Sequence, residues 1–241
     1  MSTGHVNQAV DVKTQIEESI LLGRLFPKER LVEDELMERF QAKRHIVRAA
    51  LNALEVEGMV EKRRNVGAFV KAYSAKEVKD LYEIRELLET SALLNIQLPL
   101  SQDAITRLEQ AQKLHDDAIE KNDVLAVIRA NAGFHDEVFS LQPNSALADA
   151  IKKYSSMTHV IRSASFSSGA SLQRSKAEHH EMIEALKNED LSQMKRWERS
   201  ILFLLGLRIC NALACRTNGF ACGLSPSFIQ LSLWRLKETG L

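Results

Sequence analysis

The sequence lacks the features of a membrane, disulfide-rich or redox protein. No stretch approaches the roughly 18 consecutive apolar residues that a membrane helix needs, so no membrane span is expected. Cys210, Cys215 and Cys222 cannot all pair within one chain, and their spacing fits neither a zinc ribbon nor a CxxC pair. Free thiols are expected. With only 10 glycines, 4 prolines and 3 tyrosines, a mostly helical protein is favoured over a β sandwich.

The length of the chain predicts two domains, and its charge shows no general excess of Lys and Arg. The 241 residues exceed the usual size of one domain. The 32 Lys and Arg residues are balanced by 32 Asp and Glu residues, so affinity for nucleic acid would have to come from a local basic surface. The N-terminal residues lack the basic-then-apolar layout of a secretion signal, and a cytoplasmic protein is expected.

Residues 31–56 have the pattern of two short amphipathic helices separated by a tight break. Leu36 and Phe40 are four residues apart in the first helix, and Val47, Leu51 and Leu54 recur at helical spacing in the second. One face of each helix can therefore pack on the other. The opposite face of the second helix carries polar residues, namely Arg44, His45, Arg48 and Asn52.

A basic hairpin follows the second helix. Strands are predicted at 59–62 and 68–71, around a tip that contains Arg63, Arg64 and Gly67. Residues 39–71 hold eight Lys and Arg against three Glu, and such a cluster supplies the salt-dependent part of DNA affinity. A solvated helical face is the ordinary alternative. The layout as a whole predicts a winged helix-turn-helix that binds double-stranded DNA.

This segment resembles the GntR superfamily of bacterial transcription regulators, in its FadR-like group with an FCD-type effector domain. The family's Leu-x-Glu-x-x-Leu opening, recognition helix and wing match Leu31, Glu33, Leu36, Arg44, Val47, Arg48, Ala50, Leu51, Arg63, Arg64, Gly67 and Val70. The resemblance implies a homodimer on a palindromic operator. The residues expected to contact DNA are Lys43, Arg44, His45, Arg48, Asn52, Arg63, Arg64 and Gly67.

The recognition helix and the wing are expected to contact different parts of the DNA. Arg44 and Arg48 would read base edges in the major groove, with guanine as the expected partner. Arg63 and Arg64 would meet phosphates, while Gly67 lets the wing tip approach the minor groove. Gln41 stands where the family has a turn glycine, and Lys43 stands where it has a capping serine. These departures fit either sequence drift or an altered operator in which Lys43 reaches a phosphate.

The fold class expected is mostly α, with an N-terminal winged helix-turn-helix of residues 1–73 followed by an all-helical effector and dimerisation domain of residues 74–241. An opening helix is predicted at 7–23, with its apolar side formed by Val10, Ile16, Ile20 and Leu21. Ser74 is predicted to cap the next helix. The second domain is predicted to be an antiparallel bundle of helices at 75–98, 101–121, 123–141, 144–164, 172–188 and 190–213. Residues 218–241 extend beyond the family pattern, and suggest only a packing or dimerisation role.

Polar residues in this bundle resemble the FCD signature. Asn131 and His135 lie four residues apart and point the same way, matching Asp-x-x-Phe-His, while Glu178-His179 resembles the family's Glu-His helix. In family members that bind a divalent metal, such as zinc or nickel, four ligands are used. The corresponding positions here are Asn131, His135, His179 and Ile201.

Two of the four positions are altered, since Asn131 replaces an Asp and Ile201 replaces a His. Zinc prefers three or four nitrogen, sulfur or carboxylate donors, so metal is expected to be absent or weakly bound. No other cofactor is predicted. The alternatives are that His135 and His179 are satisfied by hydrogen bonds in a polar cavity, or that His180 or His115 completes a metal shell.

Arg85 resembles an arginine that faces the ligand cavity in the family's first effector-domain helix. A guanidinium grips a carboxylate through two hydrogen bonds, which suits a small organic acid. An Arg85–Glu89 helical ion pair worth roughly 0.2–0.5 kcal/mol is the alternative, and the two roles combine if Glu89 holds Arg85 in place. The effector residues expected are therefore Arg85, Asn131, His135 and His179.

A ligand-responsive transcription regulator is the function that these patterns favour. The competing hypothesis is a helical metal-dependent hydrolase that uses the His135/His179 cluster. Such an enzyme needs a complete metal shell and a poised general base, and the sequence offers neither. It also contains no glycine-rich phosphate loop, nucleophile elbow or HExxH motif.

Overall fold

The computed structural model describes residues 3–163 and 169–190. Its elements, in chain order, are α1 Thr3–Leu21, β1 Arg30–Leu31, α2 Glu33–Phe40, α3 Arg44–Val56, β2 Val60–Arg63, β3 Gly67–Val70, α4 Ala75–Leu94, α5 Gln102–Glu120, α6 Val124–Ser140, α7 Ser145–Ser163 and α8 Gly169–Lys187. The mostly helical fold class with an N-terminal winged helix-turn-helix is confirmed. No helix in these two ranges is long and apolar enough to cross a membrane.

Helices α1 to α3 form the core of the N-terminal domain. The inner face of α3 is fully buried, with Val47 and Leu54 each at 0% exposure. The prediction of Val10 on the buried side of α1 was wrong, because Val10 is 55% exposed and Val12 is only 2% exposed. Val12 stands four residues before the buried Ile16, so it lies on the same helix face.

The tight break predicted between α2 and α3 is present, and it uses the backbone conformation that suits the glycine found at this position in the family. Gln41 ends α2 in the left-handed conformation, with φ 47° and ψ 41°. Its side-chain amide donates a hydrogen bond to the Glu38 carbonyl at 2.7 Å, which offsets part of the roughly 1–2 kcal/mol that this conformation costs a residue with a Cβ. Lys43 occupies the N-cap of α3 and makes no side-chain capping hydrogen bond.

The wing is a three-stranded antiparallel sheet with strand order β1-β3-β2. The two predicted strands are present, but each is displaced by one residue along the chain. The sequence pattern missed β1, whose two residues pair with Phe69 and Ala68 of β3. At the tip, Arg63 pairs with Gly67, and Asn65 and Gly67 take positive φ angles of 60° and 123°.

Capping side chains set the ends of the bundle helices. Ser74 caps α4 in a reciprocal capping box with Glu77, as the sequence predicted. The prediction that this helix runs to residue 98 was wrong: α4 ends at Leu94, before Pro99, whose ring disfavours helix in the preceding residue. Helix α8 begins at Gly169 rather than at residue 172. The helix predicted at 190–213 lies almost entirely, and the segment 218–241 lies entirely, outside the described residues.

The N-terminal domain packs directly on the helical bundle. Ile128 of α6 is buried in the same apolar cluster as α1 and α3, and Arg129 Nη2 lies 2.8 Å from Glu18 Oε1. Within the N-terminal domain, the Tyr73 hydroxyl donates to the Gly58 carbonyl at 2.7 Å. Burial and the nearby Glu77 charge raise the pKa of Tyr73 to about 12, so this donor stays protonated at neutral pH.

Candidate nucleic-acid interface and effector site

The exposed face of α3 brings together four of the residues predicted to contact DNA. Lys43, Arg44, His45 and Arg48 are all exposed at the N-terminal half of this helix. The Arg44 and Arg48 side chains are 50% and 58% exposed, and they lie on consecutive turns of the same face. This is the part of a recognition helix that reaches base edges in the major groove.

Two carboxylates from α2, which sequence reasoning missed, hold these arginines. Arg48 Nε lies 2.9 Å from each carboxylate oxygen of Glu33. Hydrogen bonding to Glu33, and then its charge, raises the pKa of Arg48. Arg44 Nη2 donates to Asp34 Oδ1 at 2.5 Å. The acidic first turn of α2 was the sequence signal that could have indicated these pairs. Each carboxylate is ten to fifteen residues from its arginine in the chain, so helical spacing does not connect them.

The remaining predicted DNA residues lie at or near the wing. Asn52 Oδ1 accepts a hydrogen bond from Lys62, which also lies 3.4 Å from Glu55. Arg63 is paired with Glu61 at 2.5 Å, and its guanidinium stands 4.4 Å from the centre of the Phe69 ring. Arg64 is exposed at the tip and forms no ion pair with any residue that the structure describes, which leaves its charge available to a phosphate.

In the bundle, two of the predicted effector residues, His135 and His179, lie against one buried aromatic ring. Asn131 and His179 are each 3% exposed and Phe134 is 0% exposed. The His179 ring stacks on Phe134 with centres 4.0 Å apart, and it meets the His135 ring edge-on at 5.0 Å. His135 of α6 and His179 of α8 are therefore neighbours in the bundle.

A hydrogen-bond chain, which sequence reasoning missed, fixes the orientation of His179. The Gln112 amide nitrogen donates to Asp116 at 2.7 Å, so its Oε1 faces His179 Nδ1 at 2.8 Å. Because an amide oxygen only accepts, Nδ1 is the donor in this hydrogen bond, which fixes the orientation of the ring. The side-chain oxygen Oδ1 of Asn131 accepts a hydrogen bond from the Ser175 hydroxyl at 3.2 Å.

Three of the four positions that correspond to the family's metal ligands lie in the described part of the chain, namely Asn131, His135 and His179. Within residues 3–163 and 169–190, no three His, Cys, Asp or Glu side chains are grouped so that they could hold a metal ion. His180, one of the substitutes considered, points instead to Asp116, with Nε2 2.9 Å from Oδ2. Ile201, the fourth position, lies outside the described residues.

His115 is a second polar group inside the bundle. It is 0% exposed, and its ring centre lies 4.8 Å from that of His179. Neither ring nitrogen has a hydrogen-bond partner among the described residues. Burial lowers the pKa of His115 to about 4, so the ring is neutral at neutral pH and offers one donor and one acceptor.

Arg85 lies in the interior of the bundle rather than on a helix surface. Its side chain is 4% exposed and that of Glu89 is 3% exposed. Arg85 Nε donates to Glu89 Oε1 at 2.7 Å, and Nη1 donates to Thr158 Oγ1 at 2.8 Å. The predicted helical ion pair between Arg85 and Glu89 is therefore present, but it is buried, so removing one partner would leave an uncompensated charge.

Two cavities in the described part of the chain lie elsewhere. One, of about 500 Å³, separates the wing from α4 and α7 and is lined by residues that include Tyr73 and Met157. The other, of about 460 Å³, lies between α5 and α8 and is lined by residues that include Gln112 and His180. Neither is lined by Arg85, Asn131, His135 or His179.

Comparison with known families agrees with this arrangement of an N-terminal DNA-binding fold and a helical bundle. The family of bacterial regulatory proteins named gntR matches residues 8–70. The FCD domain matches residues 80–202, about half of the chain. The chain belongs to the GntR family and carries an FCD domain. GntR-family proteins are bacterial transcription regulators that bind DNA, and FCD domains typically bind small-molecule effectors.

Curated relatives of this GntR-family protein are transcriptional regulators. The uncharacterized HTH-type transcriptional regulator YdhC of Bacillus subtilis (strain 168) is 24% identical over 76% of this chain and 82% of its own length. The Nta operon transcriptional regulator of Aminobacter aminovorans is 32% identical over 56% of this chain and 64% of its own length. Because these relatives are regulators and not enzymes, the hydrolase hypothesis was wrong.

Solved structures support the fold. A structural-genomics crystal structure of a GntR protein from Rhodococcus sp. RHA1 superimposes with a TM-score of 0.71, at 19% identity, over 84% of this chain and 97% of that one. Escherichia coli McbR/YncC gives a TM-score of 0.65 at 19% identity, over 82% of this chain and 97% of that one. At these identities the likeness concerns the fold of this regulator alone.

The buried His115 predicts that acid destabilises this GntR-family protein. Above pH 6.5 the ring is neutral in both the folded and the unfolded chain. As the pH falls from 6.5 toward the folded pKa of about 4, the unfolded chain binds a proton that the folded state does not, so the free energy of unfolding falls by roughly 3 kcal/mol. Urea unfolding near neutral pH and at about pH 4.5 measures this loss.

His115→Phe should remove most of that acid-induced loss, whereas His180→Gln should keep it, because His180 is exposed. An acid-induced loss of equal size in His115→Phe and in the parent protein would contradict the assignment to His115.

Proposed function

We propose that this GntR-family regulator acts as a homodimer on a palindromic double-stranded DNA operator and responds to a small organic acid. In this proposal residues 1–73 form the DNA-binding domain, and residues 74–241 form the effector-binding and dimerisation domain. A two-fold dimer presents two equivalent recognition helices, which is why its operator is palindromic.

The observation that carries the DNA part of the proposal is the exposed arginine face of α3. Arg44 and Arg48 read base edges, with guanine O6 and N7 as the preferred acceptors. Lys43 and His45 flank them at the start of the helix, and Asn52 lies nearer the wing. Arg63 and Arg64 meet phosphates, and Gly67 allows the tip to come close to the minor groove.

The effector part rests on the buried guanidinium of Arg85. Glu89 and Thr158 accept from two of its nitrogens, which leaves further N–H groups on the same planar fork. An organic acid binds these N–H groups through its carboxylate. Asn131, His135 and His179, which lie in the same helical bundle, contact the remainder of the effector in this proposal.

Helix α7 links this arginine to the DNA-binding domain. Thr158, which accepts from Arg85, is 0% exposed. Its neighbour Met157 packs against Gly58, just after the recognition helix α3: a Cβ placed on Gly58 would lie 2.8 Å from Met157 Cγ. An effector that draws Arg85 away from Thr158 therefore changes the packing at the end of α3. This biases the dimer between DNA-binding and non-binding arrangements.

Alanine substitutions separate base reading from phosphate contact. The specific target is a duplex that the protein selects from a random-sequence library. Arg48→Ala should weaken binding to this duplex by about 1–3 kcal/mol and remove the base preference at one of its positions. Arg64→Ala should weaken binding to all duplexes alike, and reduce the slope of log affinity against log salt by about one.

Fluorescence anisotropy at several salt concentrations measures both effects, with a scrambled duplex as the control. Base-specific loss with Arg64→Ala, and none with Arg48→Ala, would reverse the proposed roles of helix and wing. Equal affinity of the parent protein for the selected and the scrambled duplex would contradict the proposal itself.

The altered metal positions predict a low metal content. Elemental analysis of protein purified without chelator should give well under one zinc or nickel per chain, because one amide and two imidazoles with an apolar fourth position make a poor donor set. A stoichiometric metal that is lost with His135→Ala would contradict this prediction, and would mean that another residue or water completes the shell.

A further inference from the structure

The first turn of α2 presents three consecutive carboxylates beside the recognition helix. Val32, the residue before the helix, makes no side-chain capping bond, and Glu33, Asp34 and Glu35 follow it. Acidic side chains here favour the positive end of the helix dipole. That role is common to all three residues, and it does not explain why two of them are directed at arginines of α3.

Glu33 and Asp34, which we call the acidic clamp, hold the two arginines of the reading face. The two carboxylate oxygens of Glu33 share one bifurcated hydrogen bond from Arg48 Nε–H, and Glu33 also lies 3.6 Å from Arg44 Nη1. Asp34 accepts from Arg44 Nη2 at 2.5 Å while its own side chain is 73% exposed. Glu35 forms no ion pair with a described residue, although it is also exposed.

The acidic clamp therefore places negative charge on the same surface as the arginines. A DNA phosphate that approaches Arg44 or Arg48 meets a carboxylate already bound there, and like charges repel. A guanine edge offers neutral acceptors to a guanidinium, so it can share the arginine without that repulsion. A carboxylate in the groove can also accept from a cytosine amino group.

We propose that Glu33 and Asp34 are specificity-determining residues, which suppress binding of Arg44 and Arg48 to the phosphate backbone and reserve them for base edges. Glu33 is also a positioning residue, because it holds the Arg48 side chain through the bifurcated hydrogen bond from Nε–H. The inference rests on the proposed role of Arg44 and Arg48 in DNA reading, and it adds the residues that set the ratio of specific to non-specific affinity.

The test compares three single-charge variants, Asp34→Asn, Glu33→Gln and Glu35→Gln, on the full chain. Glu35→Gln is the matched control, because it makes the same charge change in the same helical turn without touching either arginine. Affinities for the library-selected duplex and for its scrambled version are measured by fluorescence anisotropy over a potassium chloride series. Circular dichroism melting verifies that each variant is folded.

Asp34→Asn should raise affinity for the scrambled duplex about threefold to tenfold, and steepen its salt slope by about one. Glu33→Gln should lower affinity for the selected duplex about tenfold, because Arg48 loses its fixed orientation. Both variants should therefore reduce the ratio of selected to scrambled affinity. Glu35→Gln should leave that ratio within about twofold of the parent.

Equal behaviour of all three variants would overturn the role of the acidic clamp, since only bulk charge would then matter. Weaker binding of Asp34→Asn to both duplexes would overturn it as well. The assignment of the reading face is tested separately: if Arg44→Ala and Arg48→Ala both leave selected-duplex affinity unchanged, the proposed function fails at its first step. If those two variants lose affinity while the clamp variants match Glu35→Gln, only the clamp inference fails.

Discussion

Arg85→Ala is expected to lower the free energy of unfolding by about 3–5 kcal/mol, the usual loss when one partner of a buried ion pair is removed. Glu89 would remain 2% exposed with no cation beside it. One of its oxygens already has no hydrogen-bond partner among the described residues, so the loss of Arg85 would remove the bond made by the other. Urea unfolding followed by circular dichroism measures the change.

The matched control replaces both members of the pair. Arg85→Met together with Glu89→Leu removes both buried charges and fills the space with apolar atoms, so it should be close to neutral for stability. The double variant should nevertheless lose its response to organic acids, which separates the structural role of Arg85 from its proposed binding role. A loss below about 1 kcal/mol in Arg85→Ala would contradict burial of this pair, because that is the range of exposed pairs.

Gly58→Ala is expected to cost about 2–4 kcal/mol, combining a left-handed backbone with overpacking. Gly58 has a φ of +72°, and a Cβ there would lie 2.6 Å from the Tyr73 hydroxyl and 2.8 Å from Met157 Cγ. Relief of this clash separates Tyr73 and α7 from the end of α3. The proposed link between effector and DNA would therefore weaken, in addition to the loss of stability.

Gly23→Ala provides the control for the backbone effect alone. Gly23 has a similar φ of +67°, but a Cβ there meets nothing within 4 Å, so only the roughly 1–2 kcal/mol of backbone cost applies. Urea unfolding of the two variants gives the contribution of the interdomain contact by difference. Equal losses in Gly58→Ala and Gly23→Ala would contradict a tight contact between α7 and the end of α3.

Local sequence patterns predicted those parts of the fold that depend on local interactions. The Ser74 cap and the buried face of α3 each follow from neighbours within about four residues. Val10 was misplaced on the buried face because helical periodicity in a short window does not separate it from Val12. Strand β1 was missed, since its two residues are extended only through pairing with β3, nearly forty positions later.

In the candidate sites, too, features marked within one segment were predicted, and contacts between distant segments were missed. The arginines of α3 and the pair of His135 and His179 were predicted, because charge patterning and a family signature mark them in one segment each. Their partners were missed because these come from other helices: Thr158 is 73 residues from Arg85, and Gln112 is 67 residues from His179. Such contacts depend on which helices pack together, and single-helix periodicity carries no information about that choice.

Selection of bound duplexes from a random-sequence library is the measurement that tests sequence-specific regulation most directly. We expect enrichment of a two-fold symmetric sequence whose half-sites contain guanines and lie about one helical turn, or a multiple of it, apart. Addition of an effector acid that binds Arg85 should change the affinity for that sequence. The opposite result is a library that remains random after repeated selection, with all duplexes bound equally and with an affinity that depends only on the salt concentration. That result would contradict sequence-specific DNA binding by this protein.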